Sequence, residues 1–136
     1  MKKLKSIKVP QNSDVYYFIV YPKIIETIKL AAGLYADQID VMSKQNIDTE
    51  DIESLVEHAC MMSNIINKNV FITNEQYNSI KELHKKFDDF LDSEWETDSM
   101  EYSDNWNELR ILGNKALEEF SVQYARANIY WVFDIY

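Results

Sequence analysis

The stretch that decides the fold is residues 48–66, which read DTEDIESLVEHACMMSNII. Its apolar side chains recur with the period of a helix, and those on one face are Ile52, Leu55, Val56, Ala59, Met62 and Ile66. We expect the helix to begin at Asp48 or Thr49, whose side-chain oxygen can accept a hydrogen bond from an unpaired backbone N–H. Glu50, Asp51 and Glu53 favour the same start, because carboxylates stabilise the positive end of a helix dipole.

Three further segments repeat this pattern. Residues 23–44 carry apolar side chains at spacings of three and four, which predicts one long helix. Thr73 and Gln76 form a capping-box pattern that opens a third helix, with an apolar stripe over residues 74–91. A fourth helix is expected over residues 103–124. The sequence therefore predicts a mainly α fold, an antiparallel bundle of about four helices.

Two aromatic and β-branched runs lie near the ends of the chain. Residues 15–21, VYYFIVY, stop at Pro22 and predict a short buried strand. Residues 129–136, IYWVFDIY, have the same character. The two runs could pair as a short two-stranded antiparallel ribbon, or the second run could form the last turns of the fourth helix.

Length and composition indicate one helical domain over residues 1–136. An apolar share of 46% is enough for a core, and only two Gly and two Pro leave little room for a fold with many turns. Cys60 is the only cysteine, so no internal disulfide can form, which is typical of a reducing cytoplasm. No apolar run approaches the roughly 20 residues that span a bilayer. We therefore expect a soluble cytoplasmic protein.

The charge balance narrows the class of partner. A formal net charge of -9 opposes direct binding to DNA or RNA, because such binding needs Lys and Arg to displace condensed counterions from the phosphates. Anionic membrane surfaces are disfavoured for the same reason. The expected partner is a protein, one whose basic surface would complement this charge, and a second copy of the chain is the other option.

The most unusual segment lies between Lys86 and Arg110, where nine carboxylates occur and no basic residue does. Aromatic side chains at Trp95, Tyr102 and Trp106 are interleaved with them, a combination that suits an interface anchored by rings and steered by charge. The predicted partner-binding residues are Asp88, Asp89, Asp92, Glu94, Trp95, Glu96, Asp98, Glu101, Tyr102 and Asp104. The alternative is an ordinary solvated loop whose rings fold back into the core.

A second acidic stretch covers residues 37–57, with seven carboxylates and a single Lys44. Helix capping and dipole complementarity at the start of the second helix account for several of them. If this stretch lies beside the first acidic segment in the fold, the two would form one extended negative surface.

Catalytic and metal-binding patterns are missing from the sequence. The acidic segment has no Gly for the sharp turn of a calcium loop, and His58 and His84 belong to no metal-binding spacing. Paired carboxylates could serve in glycoside hydrolysis, but a small bundle with few loops offers a poor cleft. Cys60 follows Ala59 on an apolar face, which indicates a buried thiol rather than a nucleophile. We expect no catalytic residue, metal or cofactor, and no enzyme activity.

The functional hypothesis is a small acidic inhibitor of the immunity, antitoxin or phage anti-defence kind, which would mask a basic nucleic-acid-binding or nuclease surface. The alternative is an oligomeric structural or regulatory bundle that associates through Trp95, Trp106 and the run at residues 129–136. A third option is an enzyme or ligand binder whose site is assembled from scattered polar residues.

Overall fold

Six α-helices form within residues 9–131, the part of the chain that a computed structural model describes. They are α1 (Asp14–Ala32), α2 (Tyr35–Gln45), α3 (Thr49–Lys68), α4 (Asn74–Lys86), α5 (Ser99–Tyr102) and α6 (Asp104–Glu119), with 3₁₀ helices at Phe87–Asp89 and Asp92–Trp95. No strand occurs among these described residues. The mainly helical prediction is confirmed, whereas the number of helices is larger than the predicted four.

Short polar side chains fix the starts of the long helices. Asp48 and Asp51 exchange side-chain and backbone hydrogen bonds of 3.0 and 2.9 Å at the start of α3. Thr73 and Gln76 do the same at the start of α4, at 3.0 and 2.8 Å. Ser103 caps α6. These three starts agree with the sequence predictions because capping depends on residues close together in the chain.

The four long helices pack in a ring in which neighbours run antiparallel. Helix α1 packs on α3 and α6, and α4 packs on the same two helices. Gln76 Nε2 donates a 3.2 Å hydrogen bond to the backbone carbonyl of Glu119, which joins the start of α4 to the end of α6. The starts of α1 and α4 therefore lie with the ends of α3 and α6. We call this the apolar end, and we call the opposite end, which carries residues 87–103, the acidic end.

Helices α1 and α6 approach each other closely at Gly113. A Cβ atom built on Gly113 would lie 2.8 Å from both the Cα and the backbone nitrogen of Ala32. The ring encloses a core of fully buried side chains, among them Ile24, Ile28, Ile52, Leu55, Ile80, Leu83, Trp106 and Leu109. Gly113 thus sets the distance between two of the four walls of this core.

The predicted strand at residues 15–21 is wrong, because these residues form the first turns of α1 and Pro22 lies inside that helix. Ser13 provides the N-cap, since its hydroxyl accepts a hydrogen bond of 3.2 Å from the backbone N–H of Tyr16. Val20 is buried in the ring of helices. Packing of this helix on its neighbours outweighs the strand preference of β-branched and aromatic residues, which is weak and depends on context.

Three predicted helix boundaries also need correction. Residues 23–44 belong to two helices, because α1 stops at Ala32 and α2 begins at Tyr35. Helix α4 stops at Lys86 rather than near residue 91, and α6 stops at Glu119 rather than near residue 124. Beyond α1 the apolar residues pack on the core from a second helix, and beyond α4 and α6 they pack on it from non-α-helical segments, so the apolar pattern continues past the end of each helix.

The segment after α6 crosses the bundle without forming a strand. The hydroxyl of Tyr124 donates a 2.6 Å hydrogen bond to Asp37, and the Arg126 guanidinium contacts Asp37 and Asp40 at 3.0 and 2.8 Å. Ile129 is buried. The predicted pairing of the terminal runs is not formed over residues 129–131, and residues 132–136 lie outside the described part of the chain.

Candidate partner-binding surface

The acidic segment folds as a close-fitting loop over the acidic end of the bundle. Two 3₁₀ helices and the single turn of α5 carry the chain from Lys86 to the start of α6. Ser99 Oγ donates a 2.9 Å hydrogen bond to the carbonyl of Ser93, which ties α5 to the second 3₁₀ helix. The segment is therefore held by local structure.

Glu94 organises the loop from within. Its carboxylate accepts hydrogen bonds from the backbone N–H of Leu91 and from Asn105 Nδ2, both at 2.9 Å, and a further one from the hydroxyl of Ser103. Burial alone would raise the pKa of Glu94, but these donors outweigh it and the pKa lies below its ordinary value. Glu94 was predicted to face a partner, and the structure instead gives its carboxylate three donors from its own chain.

The large aromatic rings fold inward. Trp106 is fully buried, and Trp95 is half-buried with its ring stacked on Phe87 at a centroid distance of 5.7 Å. The backbone carbonyl of Trp95 accepts a hydrogen bond from the Thr49 hydroxyl at the start of α3. Tyr102 is the exception, with 79% of its surface exposed. Of the three interleaved rings, only Tyr102 is free to act as an anchor for a partner.

Most of the predicted partner-binding residues are exposed together at this end of the bundle. The exposed ones are Asp88, Asp89, Asp92, Glu96, Asp98, Glu101, Tyr102 and Asp104, while Glu94 and Trp95 are half-buried. Lys86 forms ion pairs with Asp89, at 3.2 Å, and with Glu108. Within residues 9–131, no other exposed carboxylate of residues 88–104 has a basic partner. As far as the described residues go, negative charge on this surface far exceeds positive charge.

Part of the second acidic stretch extends this surface. Glu53 on α3 has a raised pKa, chiefly through burial, and the charges of Glu57, Asp88 and Glu50 raise it further while His84 opposes them. Helix α3 thus brings Glu53 close enough to Asp88 of the acidic segment for their charges to interact.

Other carboxylates of the second acidic stretch form ion pairs or hydrogen bonds within the chain. Asp37 and Asp40 pair with Arg126, and Asp48 and Asp51 form the capping box of α3. The hydrogen bonds from Tyr124 and then Arg126 hold the pKa of Asp37 below its ordinary value.

Behind the acidic segment lies a buried cation. Arg110 donates from Nε and one terminal nitrogen to Gln38 Oε1, at 3.1 and 2.9 Å, and to the carbonyl of Met100. Gln38 Nε2 in turn donates to the carbonyls of Leu30 and Ala31 at the end of α1, where the helix dipole is negative. Burial lowers the pKa of Arg110. These hydrogen bonds join α1, α2 and α6 beneath the loop.

A groove with a volume of about 490 Å³ lies at the surface between α3 and α4. Cys60, Tyr77, Lys81 and His84 line it, and Cys60 is half-buried rather than fully buried as the sequence suggested. Burial raises the pKa of the Cys60 thiol, which opposes thiolate formation at neutral pH. The Cys60 thiol is therefore not activated as a nucleophile.

Neither a metal site nor a relative of known function indicates what this surface binds. Within the described residues, no group of three or more His, Cys, Asp or Glu side chains could hold a metal ion. The helices of that same region are too short or too polar to cross a bilayer. A comparison with protein-family models, curated proteins and solved structures finds no match to this chain.

Proposed function

We propose that the chain is a small acidic binding protein that inhibits or neutralises a macromolecular partner without catalysis. The partner is a protein with a basic surface, such as a nuclease or another nucleic-acid-binding protein. The observation that carries the proposal is the group of exposed carboxylates on residues 88–104 that have no basic partner within residues 9–131. Inhibitors of the immunity, antitoxin or phage anti-defence kind are the class that this chemistry fits, and the cytoplasm is the expected place of action.

The way in which the loop is held supports this proposal. Hydrogen bonds to the Glu94 carboxylate and to the backbone carbonyls of Glu94 and Trp95 fix the loop before any partner arrives. A surface fixed in advance loses less conformational entropy on binding, so more of the contact energy appears as affinity. A merely solvated loop would not require this many internal hydrogen bonds.

Electrostatics gives the proposed complex a recognisable signature. Negative carboxylates would occupy the positions on the partner where nucleic acid phosphates otherwise bind. Long-range attraction would accelerate association at low ionic strength, and salt would screen it. The net charge of -9 disfavours nucleic acid itself as the ligand.

The test compares two variants that remove the same charge from opposite ends of the bundle. The first combines Asp92→Asn, Glu96→Gln and Asp98→Asn, whose side chains are exposed and make no hydrogen bond among the described residues. The control combines Glu75→Gln, Glu118→Gln and Glu119→Gln at the apolar end. Protein captured from the native host by the wild-type chain is purified, and its association rate with each variant is measured over a salt series.

We expect the first variant to associate at least about tenfold more slowly at low salt and to lose most of its salt dependence, because charges near the contact act mainly on the association rate. The control variant should resemble the wild type. Equal effects of the two variants, or an affinity that ignores salt, would contradict the proposal.

An oligomeric structural or regulatory bundle without catalytic activity is the second candidate. The contacts first expected for it involve Trp95, Trp106 and the run at residues 129–136. The rings of Trp95 and Trp106 lie in the aromatic cluster beneath the acidic loop and are not available for self-association. Of the terminal run, Ile129 and Trp131 are buried, Tyr130 is exposed, and residues 132–136 lie outside the described part of the chain.

A further inference from the structure

The outer face of α1 is apolar and is not covered by any described part of the chain. Val15, Phe18 and Ile19 are 56%, 70% and 43% exposed, and Pro22 is exposed on the next turn. Val15, Phe18 and Pro22 follow one another at spacings of three and four, which places them in one stripe along the helix. A stripe of this kind is what a helix normally buries against a neighbouring helix.

A groove lies beside the most exposed of these side chains. It has a volume of about 410 Å³, and its lining is mainly aromatic or apolar: Tyr17, Phe18, Tyr21, Pro22, Ile25 and Val122. Phe18 is therefore both a projecting side chain and one wall of the groove. A projecting ring next to a groove of similar chemistry is what a two-fold interface requires, because the same patch must fit itself.

Backbone strain at the same end of the bundle supplies a separate observation. Val70, in the turn between α3 and α4, has a φ of 65° and is 88% exposed. The left-handed conformation is unfavourable for a β-branched residue, and Asn or Gly would adopt it more easily. Val70 precedes Phe71, whose ring stacks on Tyr17 at 5.1 Å. Strain and an exposed apolar side chain together indicate a contact surface.

The charge distribution indicates which partner fits. Exposed charged side chains at the apolar end have both signs: Asp14, Lys68, Glu75, Lys115, Glu118 and Glu119. At the acidic end the exposed charges of residues 88–104 are all negative. Two copies that meet at their apolar ends keep their acidic surfaces apart, which is the arrangement with the least repulsion between chains of net charge -9.

We propose that a second copy of this chain docks on the Val15, Phe18 and Pro22 stripe, with Phe18 of each copy entering the groove of the other. The resulting two-fold dimer leaves both acidic surfaces exposed at its outer ends. The inference does not rest on the proposed inhibitor function, because it concerns the opposite end of the bundle. If both hold, the dimer presents two equivalent binding surfaces, which raises avidity for a partner with repeated sites.

Sedimentation equilibrium from low to high micromolar concentration tests the dimer. The wild-type chain should reach a dimer, and Phe18→Asp should raise the dissociation constant by about 100-fold or more, because the loss of a buried aromatic contact occurs twice in a two-fold dimer. The matched control is Ile111→Asp, which places the same charge on an apolar side chain that is 56% exposed on α6. This control should dimerise like the wild type.

Val70→Asn provides a second readout that does not depend on tolerance of a charge. It relieves the backbone strain, so we expect a higher melting temperature for the monomer together with weaker dimerisation. Added salt should strengthen the dimer by screening self-repulsion, opposite to its effect on the acidic surface. A wild-type chain that stays monomeric throughout, or equal effects of Phe18→Asp and Ile111→Asp, would overturn the proposal. The occupant of the stripe would then be a different protein.

Discussion

Trp106 Nε1 donates a 2.7 Å hydrogen bond to the backbone carbonyl of Glu94, which joins the hydrophobic core directly to the acidic loop. The indole is fully buried in the first turn of α6, while the carboxylate of Glu94 holds the loop from the other side. Glu94 therefore accepts a hydrogen bond from the core through its backbone carbonyl, and its carboxylate accepts three more, from Leu91 in the loop and from Ser103 and Asn105 at the start of α6. The position of the exposed carboxylates depends on this link.

Trp106→Phe should lower the free energy of unfolding by about 2 to 3 kcal/mol, through an unpaired carbonyl and a small cavity. It should also increase hydrogen exchange at the amides of residues 91–103 more than elsewhere. Trp95→Phe is the control, since the Trp95 indole is half-buried and makes no hydrogen bond among the described residues. Urea unfolding and exchange mass spectrometry give both readouts, and similar exchange in the two variants would argue against the link.

Glu94→Gln should lower stability at neutral pH by an amount that disappears in acid. The pKa of Glu94 is lowered in the folded chain, so its ionised form stabilises the fold above the ordinary value of 4.5. This contribution is lost as the pH falls through the lowered folded pKa, where protonated Glu94 resembles glutamine. The melting temperatures of the two proteins should therefore converge at low pH.

Glu96→Gln separates this effect from the general loss of negative charge. Glu96 is exposed, and its side chain makes no hydrogen bond within residues 9–131. The melting temperature of the Glu96→Gln variant should equal that of the wild type at every pH. A difference between Glu94→Gln and the wild type that stays constant from neutral to acid pH would show that the carboxylate charge does not hold the loop.

Local signals in the sequence predicted the parts of this fold that local chemistry controls. The starts of α3, α4 and α6 follow from Asp48, Thr73 and Ser103, because a cap and its N–H partner lie within three residues of each other. The end of α4 could not be found in this way. Its apolar stripe continues into Phe87 and Phe90, which pack on the same core from a 3₁₀ turn and an extended residue.

For the candidate surface, the sequence predicted the negative charge but not the contacts that hold the loop. Acidic residues are costly to bury, so the exposure of Asp92, Glu96 and Asp98 follows from residue type alone. The fates of Trp95 and Glu94 depend on contacts with Thr49 and Ser103 that form only in the folded chain. The apolar face of α1 was missed for a different reason: residues 15–21 resemble a strand, and a strand would have placed Phe18 elsewhere.

Gly113→Ala should lower the free energy of unfolding by about 1 to 3 kcal/mol, the usual cost of overpacking a core, even though Ala favours a helix. The added Cβ would stand 2.8 Å from the backbone of Ala32, so α1 and α6 must separate. Lys115→Ala, at an exposed position of the same helix, is the control and should change little. Urea unfolding measures both, and an unchanged Gly113→Ala protein would show that the two helices can move apart freely.

Pro22→Ala should raise the free energy of unfolding by about 2 kcal/mol. Proline inside α1 has no N–H to donate to the carbonyl of Phe18 and its ring crowds that carbonyl, a cost of about 3 kcal/mol that is partly offset by a stiffer unfolded chain. The only other proline, Pro10, lies before α1, so Pro10→Ala should lower stability slightly through the unfolded state alone. Urea unfolding of the two variants should therefore shift in opposite directions. Loss of stability in Pro22→Ala would mean that the backbone geometry that proline imposes is required for α1 to fit between α3 and α6.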